Sequence, residues 1–288
     1  MLTSDTHLGH SKDTLECIDS MAEYCINNDI HLVLNIGDFF EGIYKDRDCK
    51  FTNPEDQINY ALKNYPYDRN ILNFVLLGNH DASFWINNGI DIKYVLEERR
   101  HDIIPVGYGY GEINIGGAQF RLQHPLIKKY NPTIPNDHLN KIILKGHSHK
   151  FKVTCPNNHS IIINVPSLSN VPTDSNKNVI PSMIDMELEI GNDNFIINEY
   201  FQQFVFINNQ FIRTAEFHCH DNLKLKDAVH ENQLVVCITE NKELSLSQQL
   251  QQAIIDSANE VKSQNNSDQY KGMNQIEKFE ARYQKVLK

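Results

Sequence analysis

The chain has 288 residues, of which 40% are hydrophobic and 22% charged, and 37 acidic against 27 basic residues give a formal net charge of -10. This composition supports a sizeable core, as one large domain or one domain with an appendage, and excludes collagen-like, mucin-like and wholly disordered chains. The acidic balance also disfavours proteins that bind nucleic acid through general phosphate attraction, which needs a surplus of Lys and Arg on one face.

The start of the chain, Met1-Leu2-Thr3-Ser4-Asp5, lacks the basic segment and apolar stretch of a secretory signal. No run approaches the ~18 consecutive apolar residues that a membrane span needs. The six cysteines are scattered and form no CxxC pair, which favours reduced thiols. We therefore expect a cytoplasmic protein that does not contact a membrane.

Short runs rich in Ile, Leu and Val, each followed by a polar cluster, predict buried strands. These runs cover residues 31–36, 71–77, 118–123 and 141–145, and later strand-like segments cover 160–165, 183–190 and 195–206. Apolar residues at helical spacing predict one helix over 12–28 and another from near Pro54. The alternation of strands and helices favours an α/β sheet with helices packed against it.

The character of the sequence changes after about residue 215. Residues 216–243 are mixed, and two amphipathic helical stretches follow within 244–288. We expect a main domain over residues 1–215 and a mixed and helical extension over 216–288. The extension either folds back on the main domain or docks a protein partner through residues 244–288.

Polar clusters that can bind divalent metals lie near the start of the chain and after four of the apolar runs. The clusters are Asp5-Thr6-His7, Gly37-Asp38, Gly78-Asn79-His80-Asp81, His124 and Gly146-His147-Ser148-His149. Ligand sites of open α/β sheets lie beyond the carboxyl ends of the strands, so clusters that are distant in sequence can converge there. Alternate residues such as Asp5 and His7 can reach one site only where the backbone turns, and we expect the neighbouring glycines to supply that freedom.

One histidine alone would more often be a surface or core residue, and His10 and His101 are interpreted in that way. The segment His218-Cys219-His220 also carries metal-binding residue types, but no matching cluster accompanies it. The ordered series of clusters is therefore the signal for a metal site.

In this order the clusters resemble the motifs of the calcineurin-like metallophosphoesterase superfamily: D-x-H, G-D, G-N-H-D/E, H and G-H-x-H. The resemblance covers roughly residues 1–200 and implies a four-layer α/β/β/α sandwich, here with a C-terminal helical appendage. His124 matches least well, because Pro125 follows it where many members have a small residue. The segments around Asp5 and Asp38 are most similar to the nuclease-type branch, which includes the SbcD-type exonucleases and the small subunit of archaeal D-family DNA polymerase.

Family members usually begin with a full hydrophobic strand before D-x-H. Here only Met1, Leu2, Thr3 and Ser4 precede Asp5. We expect either a very short first strand or a true start that lies upstream.

The resemblance implies a centre of two divalent ions, with Mn most expected and Fe, Zn or Mg as alternatives. One ion would be held by Asp5, His7 and His149, the other by Asn79, His124 and His147, and Asp38 would bridge both. Carboxylate, imidazole and amide ligands suit these metals, and no thiolate is present to select a soft one. Two ions about 3.5–4 Å apart can activate a shared water and clamp a phosphate for in-line attack.

The resemblance also implies two catalytic residues, His80 and Asp81. His80 would point past the metals and stabilise or protonate the departing alkoxide. Asp81 would orient that imidazole. The alternative for Asp81 is a turn cap, bonded to nearby backbone.

The leading prediction is a metal-dependent phosphoesterase that hydrolyses a phosphodiester through a metal-bound hydroxide. One alternative is a DNA exo- or endonuclease that acts with a partner docked on the C-terminal helices. Six lysines near the last two motifs would line its groove or form a solvated face: Lys128, Lys129, Lys141, Lys145, Lys150 and Lys152. The other alternative is a catalytically inactive scaffold of the same fold.

Overall fold

A computed structural model of the chain describes residues 1–44, 47–126, 141–157, 160–173, 177–190 and 195–219, with the strand residues 223–224 and 234–236. The amphipathic helices expected within 244–288 lie outside these ranges. So do Lys128 and Lys129, and the side chains of Lys141 and of the 218–220 segment are likewise not described. The appendage therefore stays a prediction.

The described part of the chain holds four helices and fourteen strands, numbered here in chain order. The helices are α1 (Leu15–Asn27), α2 (Pro54–Asn64), α3 (Asn79–Asn88) and α4 (Ile92–Arg99). The first strands are β1 (Leu2–Thr3), β2 (Leu32–Ile36), β3 (Leu72–Leu77), β4 (Ile103–Tyr108), β5 (Tyr110–Ile115), β6 (Ala118–Gln123) and β7 (Lys141–Lys145). The others are β8 (Lys152–Asn157), β9 (Ser160–Asn164), β10 (Ser182–Ile190), β11 (Phe195–Ile207), β12 (Gln210–Cys219), β13 (Leu223–Lys224) and β14 (Leu234–Val236).

The strands form two sheets. The first has the order β12-β11-β10-β1-β2-β3-β4, with β13 paired to β11, and the second has the order β14-β5-β6-β7-β9-β8. Strands β1 to β4 pair in parallel, as do β6, β7 and β9. The carboxyl ends of β1, β2 and β3 therefore lie at one edge of the first sheet.

The core has two layers. Between the sheets, Phe74 and Leu76 of the first sheet belong to the same buried cluster as Phe120, Leu122 and Leu144 of the second. On the other face of the first sheet, a second buried cluster joins the sheet to the helices. It includes Ile18 of α1, Ile58 of α2, Phe84 of α3 and Leu96 of α4. Each fully buried Leu, Ile or Phe contributes about 1.5–3 kcal/mol. The mixed α/β architecture of two sheets and helices that the sequence predicts is confirmed.

Helix α1 begins three residues later than the spacing predicts, at Leu15 rather than at residue 12. The preceding loop is held by side-chain contacts: Asp13 accepts a hydrogen bond from Gly9 N at 2.8 Å, and Lys50 Nζ lies 2.5 Å from the same carboxylate. Helix α2 begins at Pro54 as predicted, with the Asn53 side chain capping it through Glu55 N at 2.9 Å.

Strand β12 runs from Gln210 to Cys219, across the expected boundary between residues 215 and 216. Strand β14 lies further along the chain and pairs in parallel with β5 of the second sheet. Both sheets therefore include residues that the sequence assigns to the extension.

Within the described ranges, no helix is long and apolar enough to cross a membrane. Cys17, Cys25 and Cys49 are free thiols, and the first two are buried.

Candidate functional site

The predicted metal-binding clusters meet where five strands end. Asp5 follows β1, Asp38 follows β2, Asn79 follows β3, His124 follows β6 and His147 follows β7. Because all five strands point their carboxyl ends toward one edge of the sandwich, side chains from distant parts of the chain become neighbours.

One group of candidate ligands consists of Asp5, His7 and His149, all buried, with ligand atoms within 4.8 Å of one another. His149 Nε2 lies 3.2 Å from both Asp5 Oδ1 and His7 Nε2. His7 Nε2 lies 3.9 Å from Asp5 Oδ1. The three atoms thus face a common point.

A second group consists of Asp38, His124 and His147. His124 Nε2 lies 3.0 Å from Asp38 Oδ2, and the rings of His124 and His147 lie 5.2 Å apart. Asp38 also groups with His7 and His80, which places its carboxylate between the two sets of histidines.

Three buried atoms of these residues form no well-aligned hydrogen bond in the described part of the chain: Asp5 Oδ1, Asn79 Oδ1 and His124 Nε2. Asp5 Oδ1 and His124 Nε2 have only the close ionic contacts to His149 and Asp38 given above. Leaving a buried polar atom unpaired costs about 1–3 kcal/mol. The two oxygens offer lone pairs to a cation, and His124 Nε2 does so once its proton has left, so the residues present fit a divalent metal.

The backbone at these residues has an uncommon conformation. Asp5, His7, Asp38, His147 and His149 have φ of 51°, 48°, 51°, 72° and 52°, in the left-handed region. The sequence predicts that neighbouring glycines allow the backbone to turn at these clusters, and Gly37 does have a positive φ of 96°. Most of the positive φ values, however, belong to the candidate ligands themselves. Such residues cost about 1–3 kcal/mol each and persist only where the surroundings hold them.

Hydroxyl groups hold part of this backbone. Ser167 Oγ and Ser169 Oγ each donate a hydrogen bond of 2.9 Å to the Asp5 carbonyl. Thr6 Oγ1 donates to the Phe39 carbonyl at 2.9 Å, which ties the loop after β1 to the loop after β2.

Two glycines allow close approach rather than turning. A Cβ at Gly78 would lie 2.3 Å from Asp38 Oδ1, and a Cβ at Gly146 would lie 2.1 Å from the Ile36 carbonyl oxygen. Both distances are shorter than any allowed contact, so these positions require glycine.

Three histidines share one hydrogen-bonding pattern. Nδ1 of His124 lies 2.7 Å from the Ile36 carbonyl, and Nδ1 of His149 lies 2.8 Å from the Val171 carbonyl. Nδ1 of His7 lies 2.8 Å from Glu41 Oε2. Because Nδ1 donates its proton outward, the lone pair of each neutral ring lies on Nε2, which faces the candidate metal positions.

His80 lies beside both groups and is 7% exposed. Its ring packs edge-on against His7 at 4.6 Å and against Tyr44 at 5.0 Å. Its backbone N–H donates to Asp38 Oδ1 at 2.8 Å, and its Nδ1 lies 2.5 Å from the Glu41 carbonyl oxygen.

The Asp81 carboxylate contacts backbone amides. It accepts hydrogen bonds from Phe40 N at 2.8 Å, Gly78 N at 2.7 Å and Phe39 N at 3.2 Å. The sequence predicts that Asp81 orients the His80 imidazole, but His80 Nδ1 lies next to the Glu41 carbonyl instead. The contacts of Asp81 with backbone amides match the alternative prediction, a cap. Burial, followed by the Asp38 charge, raises the pKa of Asp81 to about 7 despite these amides.

Charges within the site shift the pKa values of its members. Burial alone would raise the pKa of Asp5, but the His149 imidazole beside it lowers it to about 2. Burial alone would lower the pKa of His124, but the Asp38 carboxylate raises it to about 9. In the absence of metal, both carboxylates are therefore ionised and His124 carries a proton at neutral pH.

The sequence does not identify Glu41 as a member of the site. Its carboxylate is fully buried, contacts His7, and forms an ion pair with Arg47. Glu41 lies three residues after Asp38, and that spacing was the only available signal.

The family model described as "Calcineurin-like phosphoesterase" matches residues 1–181. This match includes every cluster from Asp5 to His149. None of the curated proteins matches the chain.

Several solved structures resemble this one. Yfce, a phosphoesterase from E. coli, has 16% identity and a TM-score of 0.44, with 76% of this chain and 98% of that chain covered. An archaeal phosphodiesterase has 18% identity and a TM-score of 0.42, with 64% and 89% covered. A single mutant of Vps29 from Entamoeba histolytica has 15% identity and a TM-score of 0.41, with 75% and 97% covered.

Proposed function

The chain belongs to the calcineurin-like phosphoesterase family, and on that premise we propose that it is a binuclear metal-dependent phosphodiesterase. The observation that carries the proposal is the pair of side-chain groups described above, in which carboxylate and imidazole ligand atoms from separate strands lie within 4.8 Å of one another. Atoms held in this way gain most from a bound cation.

We assign one divalent ion to Asp5, His7 and His149, and the other to Asn79, His124 and His147. Asp38, which lies between the two groups, would bridge them. When bound, the ions would lower the pKa of a shared water and neutralise the phosphate oxygens during in-line attack. The oxygen and imidazole donors suit Mn, with Fe, Zn or Mg as alternatives.

His80 is proposed as the residue that assists the leaving group. Its Nδ1 donates to the Glu41 carbonyl, so Nε2 is the nitrogen available to a substrate. The Glu41 carboxylate lies 3.7 Å from the same Nδ1. A poor alkoxide leaving group needs a proton more than an activated one does, so we propose substrates that release an alkoxide. Among these we favour diesters because of the resemblance to the nuclease-type branch.

Asp81 is proposed as a positioning residue. Its carboxylate joins the first turn of α3 to the backbone after Asp38 through Gly78 N, Phe39 N and Phe40 N. The bridging carboxylate and His80 both lie within this joined segment. Asp81 would therefore fix their relative position without contacting the substrate.

Hydrolysis assays with added Mn²⁺ test the function. The panel contains bis-p-nitrophenyl phosphate, p-nitrophenyl phosphate, cyclic nucleotides, and single- and double-stranded DNA. We expect turnover of at least one diester. For His80→Ala we expect a loss of about 100-fold or more in kcat on cyclic nucleotides or DNA, whose alkoxide leaving groups need the acid, and a smaller loss on the activated nitrophenyl esters. His101→Ala, at an exposed histidine, is the matched control and should retain activity. No turnover of any substrate by protein with metal bound would refute the enzyme proposal.

A further inference from the structure

A row of polar side chains crosses the second sheet at its active-site edge. Between neighbouring strands, Tyr110 pairs with Gln123, Gln123 with Lys145, Lys145 with Asn164, and Asn164 with Lys152. The five residues, called here the polar row, thus occupy one line across β5, β6, β7, β9 and β8.

The polar row faces away from the core between the sheets. Leu122, Leu144 and Ile163 belong to that core, and each is directly followed by a member of the row. Successive residues of a strand point to opposite faces, so Gln123, Lys145 and Asn164 lie on the outer face.

The polar row begins beside the metal-binding segments. Gln123 directly precedes His124, and Lys145 directly precedes Gly146-His147. Gly146 N donates to the Gln123 carbonyl at 3.0 Å, which keeps the two strand ends together. With strands about 4.8 Å apart, the row extends roughly 14 Å from Gln123 to Lys152.

The polar row carries two lysines and no carboxylate, in a protein of net charge -10. Glu112, two residues after Tyr110 on β5, accepts hydrogen bonds from the Tyr110 hydroxyl, from Arg121 Nε at 2.8 Å and from Gln119 Nε2 at 3.2 Å, so its charge is offset by Arg121. The row is therefore a local region of positive charge.

Gln123 supplies an independent sign of a missing acceptor. The residue is 6% exposed, and its Nε2 is buried without a hydrogen-bond partner among the described residues. An unpaired buried N–H is costly, and an anion or other acceptor at the row would satisfy it.

We propose that the polar row binds a second phosphate group of the substrate, one that lies next to the scissile phosphate. This inference rests on the proposed phosphodiesterase function and specifies its substrate class. Lys145 would supply a charge to that phosphate and Gln123 an amide donor. Lys152, two strands further on, would contact a third phosphate of a longer chain, so the row favours an oligonucleotide over a nucleoside diphosphate.

Binding measurements separate the polar row from general surface charge. The probe is a short fluorescein-labelled oligothymidylate, titrated over a series of salt concentrations with wild type, Lys145→Gln, Lys152→Gln and Lys145→Arg. Each lost phosphate contact should reduce the slope of log K against log salt by about 0.7. Lys145→Arg keeps the charge and should retain the slope. Lys63→Gln removes an equal charge from an exposed site on α2 and should leave the slope unchanged.

Competition by thymidine diphosphate distinguishes the two sources of the second phosphate. An oligonucleotide site requires both lysines, so Lys152→Gln should weaken the oligothymidylate but not thymidine diphosphate. Equal weakening of both ligands by Lys152→Gln would overturn the assignment to a longer chain.

Kinetics test the same inference during turnover. For Lys145→Gln, kcat/KM on oligothymidylate should fall about tenfold more than on bis-p-nitrophenyl phosphate, mainly through KM. If Lys145→Gln matches Lys63→Gln in both the salt slope and this ratio, the polar row does not bind phosphate. Absence of all turnover would instead refute the proposed function, and the binding slopes would still decide the role of the row.

Discussion

His124 keeps its positive charge to high pH in the protein without metal, because the attraction of Asp38 outweighs burial and raises its pKa to about 9. The unfolded chain loses this proton near the ordinary value of about 6.5. The pair therefore stabilises the metal-free fold fully below that pH and ceases to do so as pH rises through about 9.

The same proton must leave when His124 binds a metal. Between about pH 6.5 and 9 we therefore expect the Mn²⁺ affinity of the site that contains His124 to rise by up to tenfold per pH unit, with release of about one proton from His124 when that ion binds. Calorimetry in buffers of different ionisation enthalpy measures this release. His101→Ala should not change it, and binding without proton release at pH 7 would contradict the assignment of His124 as a ligand.

Glu41 is expected to set the orientation of His7, since its buried Oε2 lies 2.8 Å from Nδ1. Glu41→Gln keeps the shape and removes the charge, so it should reduce Mn²⁺ affinity by about 10- to 100-fold. Metal titration followed by dialysis measures the loss. Glu55→Gln, at an exposed residue paired with Arg99, is the control. Unchanged affinity in Glu41→Gln would show that His7 is oriented by other contacts.

For single residues, the sequence indicates which side chains lie at the candidate site but not the backbone conformation that they adopt there. Ligand atoms of Asp5, His7 and His149 lie within 4.8 Å of one another, and their role as metal ligands stays a prediction. The positive φ of Asp5 could not be predicted, because its carbonyl is held by the hydroxyl groups of Ser167 and Ser169, more than 160 residues away in the chain.

Among the secondary-structure elements, helix α3 has its first turn at the candidate metal site. Asp81 is completely buried and accepts from three backbone amides. Asp81→Asn replaces one accepting oxygen by a donor and leaves at least one amide unpaired, which should destabilise the fold by about 1–3 kcal/mol.

Urea denaturation checks the effect of Asp81→Asn. Asp19→Asn on the exposed face of α1 should be neutral. If Asp81→Asn retains wild-type stability but loses activity, Asp81 acts on His80 directly, as the sequence first suggests.

Strands with continuous apolar runs are predicted almost to the residue, because β2, β3, β6 and β7 are buried on both faces. Helix α3 was not predicted, since its first turn, Asn79-His80-Asp81, is polar and lacks amphipathic spacing. Strands β4 and β5 were missed because Gly107, Gly109 and Gly111 interrupt the strand pattern.

On the scale of the whole molecule, we propose that the main domain continues past residue 215. Residues 199–202 of β11 pair with 216–219 of β12, and Phe217 stacks on Phe201 at 4.9 Å. Strand β14 adds to the second sheet. The sequence could not predict these strand pairings, because the change in composition near residue 215 suggests a domain boundary there although both sheets continue past it.

Two truncations test this boundary. A chain of residues 1–215 loses half of a strand pairing and should have a Tm several degrees below that of full length. A chain of residues 1–243 keeps β12 to β14 and should match the full-length Tm, measured by calorimetry. Equal Tm values for both truncations would show that the main domain ends at residue 215, as the sequence predicts.

The left-handed backbone of the ligands implies a conflict between stability and function. His147 is exposed and has φ of 72°, a conformation that costs a non-glycine residue about 1–2 kcal/mol and costs glycine almost nothing. Selection for thermal resistance alone would therefore favour glycine at this position and would remove a proposed ligand of the second ion. On that assignment, the fold gives up thermal resistance in order to hold the imidazole in place.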